Sequence, residues 1–219
     1  MQVYNFPQHS EEWYGIRLGK LTASHAATIA TAGKGLETLC FDLAAEVLTK
    51  HRKDTYTNVA MEQGNALEDQ ARTLFELETG VQVEQVGFVE EDCFCGCSPD
   101  GFIQNRTSGI EIKCPQDNIY ARYLYDGEIK PEYYAQMQMQ MMLTGCDHWY
   151  YVVFNPNFDE SIVIKKVDAD AEFQAKLRAG IDKGKALIQE ILSKINARDQ
   201  KPQADTFWAD FTVTEDFRI

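Results

Sequence analysis

An α/β domain is the fold this sequence predicts, and three observations predict it. Between Cys97 and Pro115 the chain reads as two short alternating strands joined by polar turn residues. Segments of helical apolar periodicity lie on either side, at 36–50, 60–79, 131–143 and 170–198. Their order is helix, strands, helix, strand, which suits a sheet with helices packed on it. At 219 residues, 44% hydrophobic and 25% charged, the composition is ordinary for one globular unit spanning 1–219.

Taken in order, the first block is Trp13 to Leu18, followed by Thr22-Ala23-Ser24-His25-Ala26, where Thr22 or Ser24 is placed to cap a short helix ending before Gly33. Leu36, Leu39, Cys40, Leu43, Ala44, Val47 and Leu48 then form one helical face, better suited to a core than to chemistry. The basic run Lys50-His51-Arg52-Lys53 either touches a nucleic-acid backbone or is a solvated helix end favoured by the dipole. Ala60 to Thr79 reads as a helix stopped by Gly80, with Leu67, Ala71, Leu74 and Phe75 as its buried stripe and Glu68 at the margin. Val81 to Glu90 alternates as a strand, and Cys93, Cys95 and Cys97 alternate behind it. Pro131 starts a helix that Gly145 stops, His148 to Phe154 is a strand, and Ser161 to Val167 returns beside it. A long helix over 170–198 buries Phe173, Leu177, Ile181, Ile188, Ile191, Leu192 and Ile195, and its Lys176, Arg178, Lys183, Lys185 and Lys194 read as a solvated face. In the tail, Phe207, Trp208, Phe211 and Phe217 either pack back on the domain or meet another subunit.

The chemistry concentrates in the hairpin. On the strand through Ile110-Glu111-Ile112-Lys113-Cys114 the isoleucines and the cysteine share one face, and Glu111 and Lys113 share the other. Pairing with a strand that starts at Asp100-Gly101 brings Asp100 beside Glu111 and Lys113. Two carboxylates and an ammonium together are costly unless a cation joins them, and hard carboxylate oxygens suit Mg²⁺. A lysine there can hold an attacking water or offset charge on a phosphate, so the set points to metal-assisted phosphodiester hydrolysis. An exposed Glu and Lys on an edge strand with an Asp in a turn is the plainer alternative.

The formal net charge of -13 repels DNA at long range, so a DNA enzyme with this composition must sort its cations into a channel. Six cysteines with no export signal are expected to be free buried thiols; a zinc or iron–sulfur site is the alternative, weakened by the lack of a Cys-x-x-Cys pair. With no apolar run of membrane-spanning length and no signal pattern, a cytoplasmic protein is expected.

Ser98-Pro99-Asp100-Gly101 with Glu111-Ile112-Lys113-Cys114-Pro115 resembles the PD-(D/E)xK nuclease signature, and more narrowly the phage lambda exonuclease group of YqaJ-type viral recombinase nucleases. Residues 13–24 (WYGIRLGKLTAS), 64–80 (GNALEDQARTLFELETG) and 134–138 (YAQMQ) agree in type and order, so the resemblance covers about 13–154 and leaves 170–219 without motifs. It implies a PD-(D/E)xK core, a central mixed sheet flanked by helices, and Mg²⁺-dependent 5′ to 3′ digestion of one strand of linear duplex DNA to 5′-mononucleotides, with Mn²⁺ able to substitute. Carried onto this chain, Asp100, Glu111 and the Ile112 carbonyl hold metal with Glu68 assisting, Lys113 serves the attacking water, and Gln136 faces the active site. Arg17, Ser24 and Ser98 form a pocket for the 5′-phosphate. The resemblance also implies a homotrimeric ring, a single-strand annealing protein as recombination partner, and a bacterial cell with phage or prophage origin. An endonuclease or single-strand exonuclease on the same core, or a catalytically silent DNA-binding module, are the competing functions.

Overall fold

A computed structural model describes residues 1–52, 59–103 and 105–199, with backbone alone at 59–66, 198 and 199. In chain order the elements are β1 (Gln2–Tyr4), α1 (Glu11–Arg17), β2 (Leu21–Thr22), a 3₁₀ turn (Ala23–His25), α2 (Ala26–Thr31), α3 (Lys34–Thr49), α4 (Val59–Thr79), β3 (Phe88–Asp92), β4 (Cys95–Cys97), β5 (Gly101–Ile103), β6 (Ser108–Lys113), α5 (Asp117–Asp126), α6 (Pro131–Thr144), β7 (His148–Phe154), β8 (Ile162–Asp168) and α7 (Ala171–Asp199). Lys53 of the basic run and the tail aromatics Phe207, Trp208, Phe211 and Phe217 lie outside the described residues.

The strands form two mixed sheets. The second, β5-β6-β7-β8, is the central one: β6 runs antiparallel to β5 and parallel to β7, and β8 returns antiparallel. Its two faces are covered by different helices. Ile110, Ile112, Val152 and Phe154 pack against Ala71 and Phe75 of α4. Trp149, Tyr151 and Val153 face the larger core shared with α2, α3, α6 and α7. In register, Glu111 pairs with Tyr151 and Lys113 with Val153, so both charged residues lie on this second face. Gly109 pairs with Trp149, whose indole would lie 2.3 Å from a Cβ there; only a glycine lets the ring cover the strand next to Glu111.

The other sheet, β1-β3-β4-β2, holds the N-terminal half. α6 packs on β3 and β4 of this sheet and on β6 and β7 of the central one. That position explains its composition: Met137, Gln138, Met139, Gln140 and Met141 are all buried, because this stretch of the helix is enclosed all round. Gln138 is structural, donating to the Asp168 carbonyl at 2.9 Å and accepting from the Asp170 amide at 2.8 Å.

Several expectations change. Val81 to Glu90 is not one strand: Glu84 exchanges two backbone hydrogen bonds with Phe102 of the central sheet, each 2.8 Å, whereas Gly87 already bonds Tyr4 of the other. The segment crosses between sheets and cannot stay in one ladder. Cys93 sits in the β3–β4 turn, so only Cys95 and Cys97 share the strand, both buried in the core; all six cysteines are free thiols. Thr22 occupies the cap of the 3₁₀ turn but makes no side-chain cap bond. On α7, Arg178 grips Glu91 with two 2.7 Å bonds and Lys185 bonds Asp92 at 2.6 Å, so these two basic residues, though partly solvated, clamp the β3–β4 hairpin. Helix α5 carries no clean apolar stripe, with Tyr120 and Tyr123 buried and Ile119, Leu124 and Tyr125 exposed, which is why periodicity does not announce it. Among the described residues no helix is long and apolar enough to cross a membrane.

Candidate active site

The β5–β6 hairpin assembles the acidic half of the site. Gly101 pairs with Ile110, so Asp100 reaches one step further and its Oδ2 accepts the Ile112 amide at 2.6 Å. Glu111 is 0% exposed. Its Oε1 is ion-paired with the Lys113 Nζ, and its Oε2 accepts a 2.9 Å hydrogen bond from the Gln140 amide. Gln140 Oε1 is buried without a hydrogen-bond partner among the described residues. Lys113 Nζ also lies 5.0 Å from the centre of the Tyr133 ring. Glu68 enters from the margin of α4, where Arg72 of the same helix donates to its Oε1 at 2.7 Å. Arg72 is 8% exposed and also binds Asp69.

Electrostatics follow from this crowding. Burial, then the charges of Glu111 and Glu68, push the Asp100 carboxyl well above the usual carboxylate range, against the pull of Lys113 and the Ile112 amide. Burial also raises Glu68, though Arg72 and Lys113 oppose it. For Lys113, burial pushes the ammonium down, but Glu111 and Asp100 outweigh it and hold the group above the ordinary lysine value. Buried, mutually repelling, hard oxygen donors fit a divalent cation, which would offset the repulsion that raises Asp100. Among the described residues no group of three or more His, Cys, Asp or Glu is arranged to hold a metal; Asp100 and Glu111 are two, as many carboxylates as Mg²⁺ commonly takes.

The second half is cationic and joins the three residues that the family resemblance groups. Arg17, at the C-terminal end of α1, donates to Ser98 Oγ at 2.9 Å and to Ser24 Oγ at 3.4 Å. Trp13, one turn earlier, donates its indole N–H to the same Ser98 Oγ at 2.8 Å, and the Arg17 guanidinium lies 4.2 Å from its ring centre. The helix that presents both starts at Ser10, whose Oγ accepts the Trp13 amide at 3.2 Å. Burial, then the neighbouring Arg52, lower the Arg17 guanidinium to about 10. The same causes, burial first and then Arg17 and Arg52, depress His25 to about 4. Arg52 itself lies over the Tyr14 ring, 4.7 Å from its centre.

The structure therefore unites Asp100, Glu111, Lys113 and Glu68 in one cluster and Arg17, Ser24 and Ser98 in another. Gln136 lies one helical turn before Gln140 on the same face of α6, half-buried, but Gln140 is the glutamine that engages Glu111. Sequence reasoning missed Gln140, Arg72 and Trp13. All three stand four residues from a residue it had chosen, a spacing that places side chains on one helical face. It also missed the segment Asn5 to His9, which walls a cleft of about 440 Å³ with Glu68 and Asp100. Gln8 pins that wall, donating to the Pro99 carbonyl at 2.8 Å.

Comparison with known proteins accords with this geometry. Residues 12–147 match the family model described as a YqaJ-like viral recombinase domain. A crystal structure of LHK-Exo in complex with dAMP is 30% identical over 87% of this chain and 98% of its own, with a TM-score of 0.81. A second structure of that alkaline exonuclease, from Laribacter hongkongensis, is 32% identical over 88% and 100% of the two chains, with a TM-score of 0.75. A phage-related exonuclease from Haemophilus somnus 129PT, 18% identical over 80% and 96%, has a TM-score of 0.60, a likeness of fold alone. The α/β architecture is thus that of the nuclease core which the sequence motifs implied. No curated protein is similar enough to count as a match.

Proposed function

The chain belongs to the YqaJ-like viral recombinase family, and on that premise we propose that it is a Mg²⁺-dependent exonuclease digesting one strand of linear duplex DNA from 5′ to 3′ and releasing 5′-mononucleotides. One observation carries the exonuclease reading. Ser98, in the cationic cluster, and Asp100, in the acidic one, are two residues apart on the link between β4 and β5. Two residues of extended chain span roughly 7 Å, the scale of one nucleotide step. A terminal phosphate held at Arg17 would leave the next phosphodiester at the acids, and cleavage there frees one nucleotide.

The residues divide the work. Arg17 offers its guanidinium fork to the terminal phosphate, with Ser24 and Ser98 as neutral donors and Trp13 as an aromatic face beside them. Asp100, Glu111 and the Ile112 carbonyl would hold Mg²⁺, with Glu68 assisting under the restraint of Arg72; Mn²⁺ would substitute. When bound, the metal polarises the phosphate and lowers the pKa of water. Lys113, kept protonated by its carboxylate neighbours, orients the attacking water and offsets charge that builds on the phosphate. Gln140 holds Glu111 in place, and Gln136 is positioned one turn away to meet the substrate. We further propose a homotrimer working with a single-strand annealing protein in the cytoplasm of a phage-bearing bacterium, as the family resemblance implies.

The test is digestion of linear duplex carrying a 5′-phosphate or a 5′-hydroxyl, in Mg²⁺ or EDTA, with closed circular DNA as control. Mononucleotides released from linear ends alone, faster with the phosphate and lost in EDTA, are expected. Cleavage of circles would replace the exonuclease by an endonuclease, and DNA binding without cleavage would point to a silent module.

A further inference from the structure

Beyond Lys113 the chain turns at Pro115 into α5, and between α5 and the start of α6 lies a second cavity, of about 230 Å³, that none of the roles above uses. Its floor is aromatic. Tyr123, Tyr133 and Tyr151 line it, together with Ile129, Pro131 and Lys113. The rings are spaced for contact: Tyr133 and Tyr151 are 6.1 Å apart at 30°, and Tyr123 and Tyr151 5.9 Å apart at 74°.

Two features distinguish this cavity from a packing defect. Tyr4, Tyr120 and Tyr134, buried or half-buried elsewhere, each spend their hydroxyl on a hydrogen bond inside the protein. Among the described residues none of the three cavity hydroxyls does so, which leaves them for a ligand with polar edges. The lining carries cations as well. Lys113 Nζ and Lys130 Nζ lie 5.0 and 5.5 Å from the Tyr133 ring, so two ammonium groups flank one aromatic wall of the cavity, and Lys113 belongs to the catalytic cluster too. Asp126 and Glu128 also line it, Asp126 being 3.7 Å from Arg122. A flat ring with polar edges, attached to a phosphate beside these ammonium groups, matches this combination.

Position then selects the ligand. Lys113 lines the cavity and is ion-paired with Glu111, whereas Arg17, Ser24 and Ser98 do not line it, so the cavity adjoins the acidic cluster and is distinct from the Arg17 pocket. We infer that this cavity receives the base of the second nucleotide, the one on the 3′ side of the phosphodiester being cut. The inference rests on the exonuclease reading and adds a base-stacking subsite that sets the register of the strand. Each turnover would draw the next base out of the cavity toward Arg17.

The experiment is single-turnover release of the first nucleotide, in Mg²⁺, from a 5′-phosphorylated duplex whose second nucleotide on the digested strand is either normal or abasic. The wild-type protein is compared with Ile129→Trp, which fills the cavity, and with Ile119→Trp at its 40% exposed rim, a surface change that keeps the test alive if the first variant fails to fold. The wild type should release the nucleotide about ten-fold faster from the normal strand, as expected for loss of one base–aromatic stack. Both variants should lower the normal rate toward the abasic one, leaving a ratio near unity. Equal rates on the two strands with wild-type protein would overturn the subsite and leave the exonuclease reading intact. Release of nothing from either strand would overturn both.

Discussion

At Asp100 three carboxylates crowd one another under cover of the fold, and two residues earlier, at Ser98, the crowding is of cations. The two halves of the site are opposite in sign and alike in construction. In the acidic half, burial and the neighbouring acids drive Asp100 and Glu68 upward. In the cationic half, burial and the neighbouring arginines drive Arg17 and His25 downward. Each half disfavours its own charges, and each would be relieved by a ligand of the other sign, a divalent cation in one and a phosphate in the other. The difference lies in internal compensation. Lys113 sits within the acidic half and neutralises part of it, whereas the described hydrogen bonds of Arg17 in the other half go to the neutral hydroxyls of Ser24 and Ser98.

That contrast can be broken most severely at Lys113. Lys113→Ala should reduce nucleotide release by about a thousand-fold or more, because it removes both the water-orienting group and the charge that offsets the phosphate. A loss of less than about ten-fold in single-turnover assays would remove Lys113 from the chemistry.

The cationic half should respond selectively. Arg17→Ala is expected to slow digestion of 5′-phosphorylated ends by about ten- to a hundred-fold, the range of a charge-assisted hydrogen-bond set, while 5′-hydroxyl ends change little. Equal slowing on both ends would show that Arg17 supports the fold and not the phosphate.

His25 sharpens the same half through pH. Its folded value of about 4 lies below the ordinary 6.5, so between those limits the unfolded chain holds a proton that the native protein does not. Stability is therefore lost as pH falls from about 6.5 toward 4, and His25→Gln should flatten that part of the profile by roughly 1–2 kcal/mol in urea melts. A profile unchanged by the substitution would mean that the imidazole is solvated.

The smallest effect is on stability, in Asp100→Asn. Removing one of several repelling charges should raise metal-free stability by about 1 kcal/mol, even as hydrolysis is lost. Thermal melts in EDTA and in Mg²⁺ would read it: the metal should raise the wild-type midpoint and leave the variant's unmoved. A variant less stable than wild type in EDTA would show that the Ile112 amide bond matters more than the repulsion.

Legibility from sequence varied with the range of the contact. The α4 stripe, the Pro131 start and Gly145 stop of α6, and the Asp100 hairpin are all as read, since period, caps and turns act over a few residues. Val81 to Glu90 looked like one strand because its alternation is real; two different sheets claim its two ends. Gln140, one turn after Gln136, escaped notice for the same reason. Both lie on one face of α6, and only the packing of that helix across β6 and β7 decides which amide reaches Glu111.

By itself, then, the sequence determined the family, the central strands and the meeting of Asp100, Glu111 and Lys113, because a hairpin of about a dozen residues brings them together by local pairing. Tertiary structure alone decided that Arg17 reaches Ser98, 81 residues away, that Gln140 reaches Glu111 from 29 residues away, and that a tyrosine-lined cavity opens beside Lys113. Those contacts depend on how helices seat on two sheets, and seating is settled by the shapes of packed side chains, which no short stretch of sequence encodes.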